Sequence, residues 1–126
     1  MKIEIWSDVV CPWCYIGKRR LESALAEFPH SDEVDIVWRS FELDPTTERV
    51  EGETTRSRLA RKIGVPETQV DAMQANVTAI AAEEGLAYDL DSTLPTNTFD
   101  LHRVLHRAAE LAEVSTWLLG ARDSYR

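Results

Sequence analysis

The chain has 126 residues, the size of one ordinary domain, and is 44% hydrophobic and 29% charged. That composition is globular rather than disordered, and no apolar run reaches the ~18 residues of a membrane span. Lys and Arg number 14 against 22 Asp and Glu, a formal charge of −8, and no basic run offsets it, so nucleic acid is excluded as a natural partner.

The N-terminus carries charge from Lys2 onward and lacks the apolar core of an export signal, so the expected compartment is the cytoplasm. Ile3 to Trp6 is a short β-rich run, with Ile3 and Ile5 alternating against Glu4. After four residues comes Cys11-Pro12-Trp13-Cys14. Proline is favoured at the first helical position, where its missing N–H would be unpaired anyway. Gly17, Leu21, Ala24 and Phe28 then repeat at helical spacing, and Pro29 ends the run. The spacing therefore predicts a helix with Cys11 at its N-cap, Cys14 in its first turn and Gly17 on its buried stripe. A glycine there implies close approach of helix to sheet.

These are the only two cysteines of the chain. A disulfide closing so short a loop removes little entropy from the unfolded chain, so a purely structural role is disfavoured. Cys-x-x-Cys after a strand and at the start of a helix is the pattern of a redox dithiol. Free N–H groups and the positive end of the helix dipole favour a thiolate at Cys11, bringing its pKa below the usual ~8.5. Cys11 is thus read as the nucleophile and Cys14 as the resolving thiol. Lys18 and Arg19 are read as the helix's solvated outer face. The competing reading is half of a zinc site, completed by His102 and His106 at i, i+4 spacing. Pro12 and Trp13 open a helix instead of a metal-binding turn, so the redox reading is preferred and no metal is assigned.

Val34 to Phe41 alternates Val34, Ile36 and Trp38 against Asp35 and Arg39, with Val37 and Phe41 on the second face, and reads as a strand covered on both sides. Strand, helix and strand make a βαβ unit. Thr46 to Arg56 is a polar loop. Ser57 to Ile63 and Pro66 to Glu84 read as helices, the second with Val70, Met73, Val77, Ile80 and Ala81 inward and Gly85 as its stop. Leu86 to Leu90 is a short extended piece and Ser92 to Thr98 a turn. A last helix runs from about Asn97 to Ala112, with Leu101, Val104, Leu105, Ala108 and Leu111 inward.

Ser7-Asp8…Cys11-Pro12-Trp13-Cys14…Gly17, then Trp38-Arg39-Ser40-Phe41-Glu42-Leu43-Asp44-Pro45, and finally Asn97-Thr98-Phe99…His102-Arg103 together resemble the FrnE-like branch of the DsbA thiol–disulfide oxidoreductases. The resemblance covers about 1–110. It implies an α/β, partial thioredoxin-like fold: a βαβ unit over 1–45, a helical insertion over 46–112 and a C-terminal tail over 113–126. It implies catalysis by Cys11 and Cys14, supported by Ser7, Asp8, Pro12, Trp13 and Gly17, with Phe41, Asn97 and His102 behind them. The substrates are then thiols or disulfides of proteins or small molecules, to be oxidised, reduced or isomerised. No cofactor is expected beyond the redox-active disulfide, with glutathione an eligible co-substrate.

The family's chain continues into further strands and a cis-proline loop. Gly64-Val65-Pro66 is superficially like that loop, but Glu67 to Met73 follows it with helical spacing, so Pro66 reads as a helix start. A sheet of two parallel strands has open edges, which leads to the expectation of a homodimer. Two other functions compete. One is a glutathione-dependent isomerase of the 2-hydroxychromene-2-carboxylate type, whose members usually carry Ser at the first cysteine position. The other is a non-enzymatic module that binds a partner or metal.

Overall fold

The computed structural model describes residues 1–110; the readings for Leu111 and the 113–126 tail lie outside the described residues. Strands β1 (Lys2–Ser7) and β2 (Asp35–Ser40) pair in parallel, Ile3 opposite Ile36 and Ser7 opposite Ser40. The Phe41 N–H donates to the Ser7 carbonyl at 3.1 Å and carries the ladder one step further. Between the strands lies helix α1 (Pro12–Glu27), followed by a single 3-10 turn, Ser31–Glu33. The βαβ order read from the sequence is therefore present. Helices α2 (Thr55–Ile63), α3 (Glu67–Glu83) and α4 (Phe99–Glu110) follow, giving a mixed α/β fold of one short sheet and four helices among the described residues.

The main core forms where α1 meets α3. Tyr15 and Ile16 of α1 are buried against Val77 and Ala81 of α3 and against Leu86, with Ile80, Tyr88 and Leu90 packed around them. Ile16 and Val70 are closed to solvent, and each such side chain contributes about 1.5–3 kcal/mol by leaving water. The Arg20 guanidinium adds a 2.7 Å bond to the Glu84 carboxylate across the same helix pair.

Four expected faces turn out differently. Gly17 is exposed, and a Cβ there would meet nothing within 4 Å, so it marks no close approach to the sheet. Helix α1 carries apolar residues on two faces, and α3 covers the one holding Tyr15 and Ile16 instead of the Gly17–Leu21–Ala24–Phe28 stripe. Met73 stands largely exposed on α3. On α4, Leu101 and Val104 face outward, and the buried positions are His102 and Leu105. The second face of β2 is only partly covered, with Phe41 exposed beyond it.

The 41–54 loop is tied down by charge. The Asp44 carboxylate accepts from the Thr46 hydroxyl at 2.7 Å, from Lys62 at 3.2 Å and from Arg58 at 3.4 Å, and these donors hold it well below the usual carboxylate range. Arg58 and Arg61 both reach Glu53. Helix α2 starts two residues before the sequence reading because Thr54 caps it. The Thr54 hydroxyl accepts the Ser57 N–H at 3.1 Å, and the Ser57 hydroxyl accepts the Thr54 N–H at 3.1 Å. At the other end Gly64 takes the left-handed conformation (φ 72°) that glycine adopts without strain. Replacing Thr54 with Ala removes both halves of this exchange and should lower unfolding stability by about 1 kcal/mol in urea titrations.

Candidate active site

β1 ends at Ser7, and the next two residues, Asp8 and Val9, are buried. The chain then turns, with the Cys11 N–H donating to the Asp8 carbonyl at 3.2 Å, and enters α1. Cys11 is the N-cap in extended conformation (φ −93°, ψ 109°), and Pro12 is the first helical residue. The Cys14 N–H closes the first turn onto the Cys11 carbonyl at 3.1 Å. Both thiols are free and half-buried.

The two thiols lie close enough for each to set the other's charge. The Cys11 thiol donates to Cys14, which is the main reason the Cys14 pKa falls to about 6. Burial opposes that fall; the Ser7 hydroxyl and the Asp8 backbone N–H add to it, while the nearby Asp8 charge works against it. Cys11 is pushed up, first because its proton is held by Cys14 and then by burial and by the charge on Cys14. The backbone N–H groups of Cys14 and Trp13 pull Cys11 the other way, as expected at a helix N-terminus. The pair therefore gives up one proton easily and holds the second tightly, and it titrates as a unit. The charge therefore belongs to the pair at the helix N-terminus and to neither sulfur by itself.

Lys18 and Arg19 do not reach the sulfurs. Both pair with Glu22, and Arg19 also lies over the Tyr15 ring at 5.7 Å. Trp13 is half exposed, its ring free of the core while its backbone serves Cys11. Phe41 is tied to the site by its backbone bond to Ser7, and its side chain is exposed. The Asn97 side chain donates to the Pro45 carbonyl at 3.1 Å and accepts the Phe99 N–H at 3.0 Å, so it ties the loop after β2 to the start of α4. The two histidines that could complete a zinc site are engaged elsewhere. His102 meets Asp8 at 3.2 Å, and His106 meets the Ser40 hydroxyl at 2.9 Å. No group of three or more His, Cys, Asp or Glu among the described residues is placed to hold an ion.

Sequence reasoning missed Tyr88. Its hydroxyl donates to the Pro12 carbonyl at 2.8 Å, fastening the stretch after α3 to the cysteine turn. Burial and the neighbouring Tyr15, Cys11 and Cys14 push its pKa up, so it stays a phenol donor. The signal was present: Leu86, Tyr88 and Leu90 share one side of an extended stretch, and the flanking leucines point to the core.

Three comparisons bear on this geometry. The family profile of the DSBA-like thioredoxin domain matches residues 2–119. The structure of a probable DsbA oxidoreductase from Streptomyces coelicolor superposes with a TM-score of 0.88 at 45% identity, over 99% of this chain and 53% of that one. An uncharacterised Bacillus subtilis protein, YwbO, is 39% identical over 44 residues, which are 35% of this chain and 20% of that protein. The chain thus spans about half the length of its structural relative. Strand, cysteine turn and helices agree with a profile that runs nearly end to end, and the chain belongs to the DSBA-like thioredoxin domain family.

Proposed function

We propose that the chain is a thiol–disulfide oxidoreductase that cycles Cys11 and Cys14 between dithiol and disulfide, acting on thiols or disulfides of polypeptides. Membership of the DsbA-like family supports an oxidoreductase role in general. The observation that carries the reading is the placement of two free cysteines at the start of α1, Cys11 at the N-cap and Cys14 closing the first turn onto the Cys11 carbonyl at 3.1 Å.

The chemistry follows from the unequal sulfurs. In the oxidising direction a substrate thiolate attacks Sγ of Cys11 in the disulfide, the Cys11–Cys14 bond breaks, and Cys14 leaves as the thiolate. A thiol of low pKa is the better leaving group, so the depressed Cys14 favours attack at Cys11. A second substrate thiolate then attacks the substrate sulfur of the mixed disulfide. Cys11 leaves and takes up one proton, so two electrons have passed from the substrate dithiol to the pair. In the reducing direction the bonds are exchanged in reverse: Cys11, having passed its proton to Cys14, attacks a substrate disulfide, and Cys14 then displaces the product.

The surroundings favour a polypeptide substrate. Val10 and Trp13 flank the cysteines, Phe41 and Leu43 are joined by backbone bonds to Ser7 and Asp8, and all four are exposed apolar side chains. Apolar surface beside a reactive group serves an extended or unfolded chain better than a small polar thiol.

In an insulin-reduction assay Cys11→Ser should abolish turnover, whereas Cys14→Ser should accumulate a mixed disulfide at Cys11 that mass spectrometry can locate. Full activity of Cys11→Ser would refute the assignment. The shared proton gives a second check. Cys11→Ala removes the donor to Cys14, so the pH midpoint of Cys14 alkylation should rise from about 6 toward the ordinary thiol value of ~8.5. A midpoint unmoved by that change would mean that the sulfur–sulfur bond does not set the charge.

A further inference from the structure

Asp8 is the unexpected group beside the cysteines. It is a carboxylate only 2% exposed, placed directly after β1, and its backbone serves both sulfurs' residues: its carbonyl accepts the Cys11 N–H and its N–H faces Cys14. Its charge disfavours a thiolate on Cys14. A buried anion next to a group that must itself become an anion needs donors of its own.

Two donors arrive, both from outside the cysteine turn. The Leu43 N–H reaches Oδ2 at 2.8 Å from the loop after β2, and His102 Nε2 reaches Oδ1 at 3.2 Å from α4. His102 is itself 4% exposed. With a carboxylate as its acceptor, the shared proton is assigned to Nε2. Nδ1 is buried and has no partner among the described residues, so the ring is held there by what its other nitrogen does.

We propose that His102 is a positioning residue for the thiol chemistry: by donating to Asp8 it draws the carboxylate's charge away from the sulfur pair, and so sets how readily the pair ionises and how strongly its disulfide takes up electrons. The helical part of the chain thereby tunes a dithiol it does not contain. The redox half of this inference rests on the oxidoreductase reading above. Among the described residues the titratable groups around the pair are Asp8, His102, Tyr15, Tyr88 and the two cysteines themselves, and Tyr88 is committed to Pro12.

The test uses the full chain and four variants: His102→Leu, His102→Gln, Asp8→Asn and the Asp8→Asn/His102→Leu double variant. Thiolate absorbance against pH gives the first ionisation of the pair, and equilibration with glutathione gives the balance of dithiol and disulfide. His102→Leu should raise that ionisation by about half to one pH unit, and move the glutathione balance about three- to tenfold toward the disulfide. His102→Gln keeps an amide donor near the Nε2 position and should stay close to the parent. Asp8→Asn should lower the ionisation, and adding His102→Leu to it should change nothing further.

A folded His102→Leu protein with unmoved ionisation overturns the proposal. So does an equal shift in the Asp8→Asn background, which would mark a merely structural histidine. If His102→Leu does not fold, Asp8→Asn decides alone, and no fall in the ionisation overturns the proposal. A parent chain that forms no reversible Cys11–Cys14 disulfide would sink the oxidoreductase reading, while the absorbance arm would still judge the link from His102 to the sulfurs.

Discussion

Two free cysteines at the first turn of a helix, coupled in charge, are the arrangement on which the rest of the site depends. A thiol and a thiolate in hydrogen-bond contact are stabilised together, and neither would titrate as it does without the other. That contact requires Cys11 at the N-cap and Cys14 three residues on, with the backbone fixed between them.

The fold holds this turn from several sides. Beneath it, β1 pairs with β2 and delivers Ser7 and Asp8 to Cys14. Behind it, Tyr15 and Ile16 follow directly on Cys14 and are buried against α3, so the helix cannot roll without opening the core. Across it, Tyr88 bonds to the Pro12 carbonyl, and His102 bonds to Asp8. Each of these ties comes from a different part of the chain. The residues after β2 therefore act as more than a lid over a finished site, since they supply polar contacts that a βαβ unit alone does not have.

How much of this could be read beforehand divides along local and distant interactions. The cysteine turn was legible because its determinants are adjacent: proline at the first helical position, a short strand before it, and no third or fourth cysteine to suggest a closed metal site. The βαβ order and the start and stop of α3 were legible for the same reason. Burial was read less well. The stripe of Gly17, Leu21, Ala24 and Phe28 has helical spacing, but spacing only states that a face is apolar and not which neighbour covers it. Met73 and Val104 fail in the same way. Tyr88 and the Asp8–His102 pair lay further out of reach, because each joins residues more than 70 positions apart. A histidine between apolar positions on a helix looks like surface until the carboxylate that it serves is brought beneath it.

The central claim is that the cysteines ionise as one unit. Carbon-13 labelling of both cysteine Cβ atoms, followed by NMR across pH in the reduced protein, tests it most directly. The account predicts that both resonances move together in a first step near pH 6, with no second step through the ordinary thiol range. Two independent titrations near the ordinary thiol value of ~8.5 would contradict it.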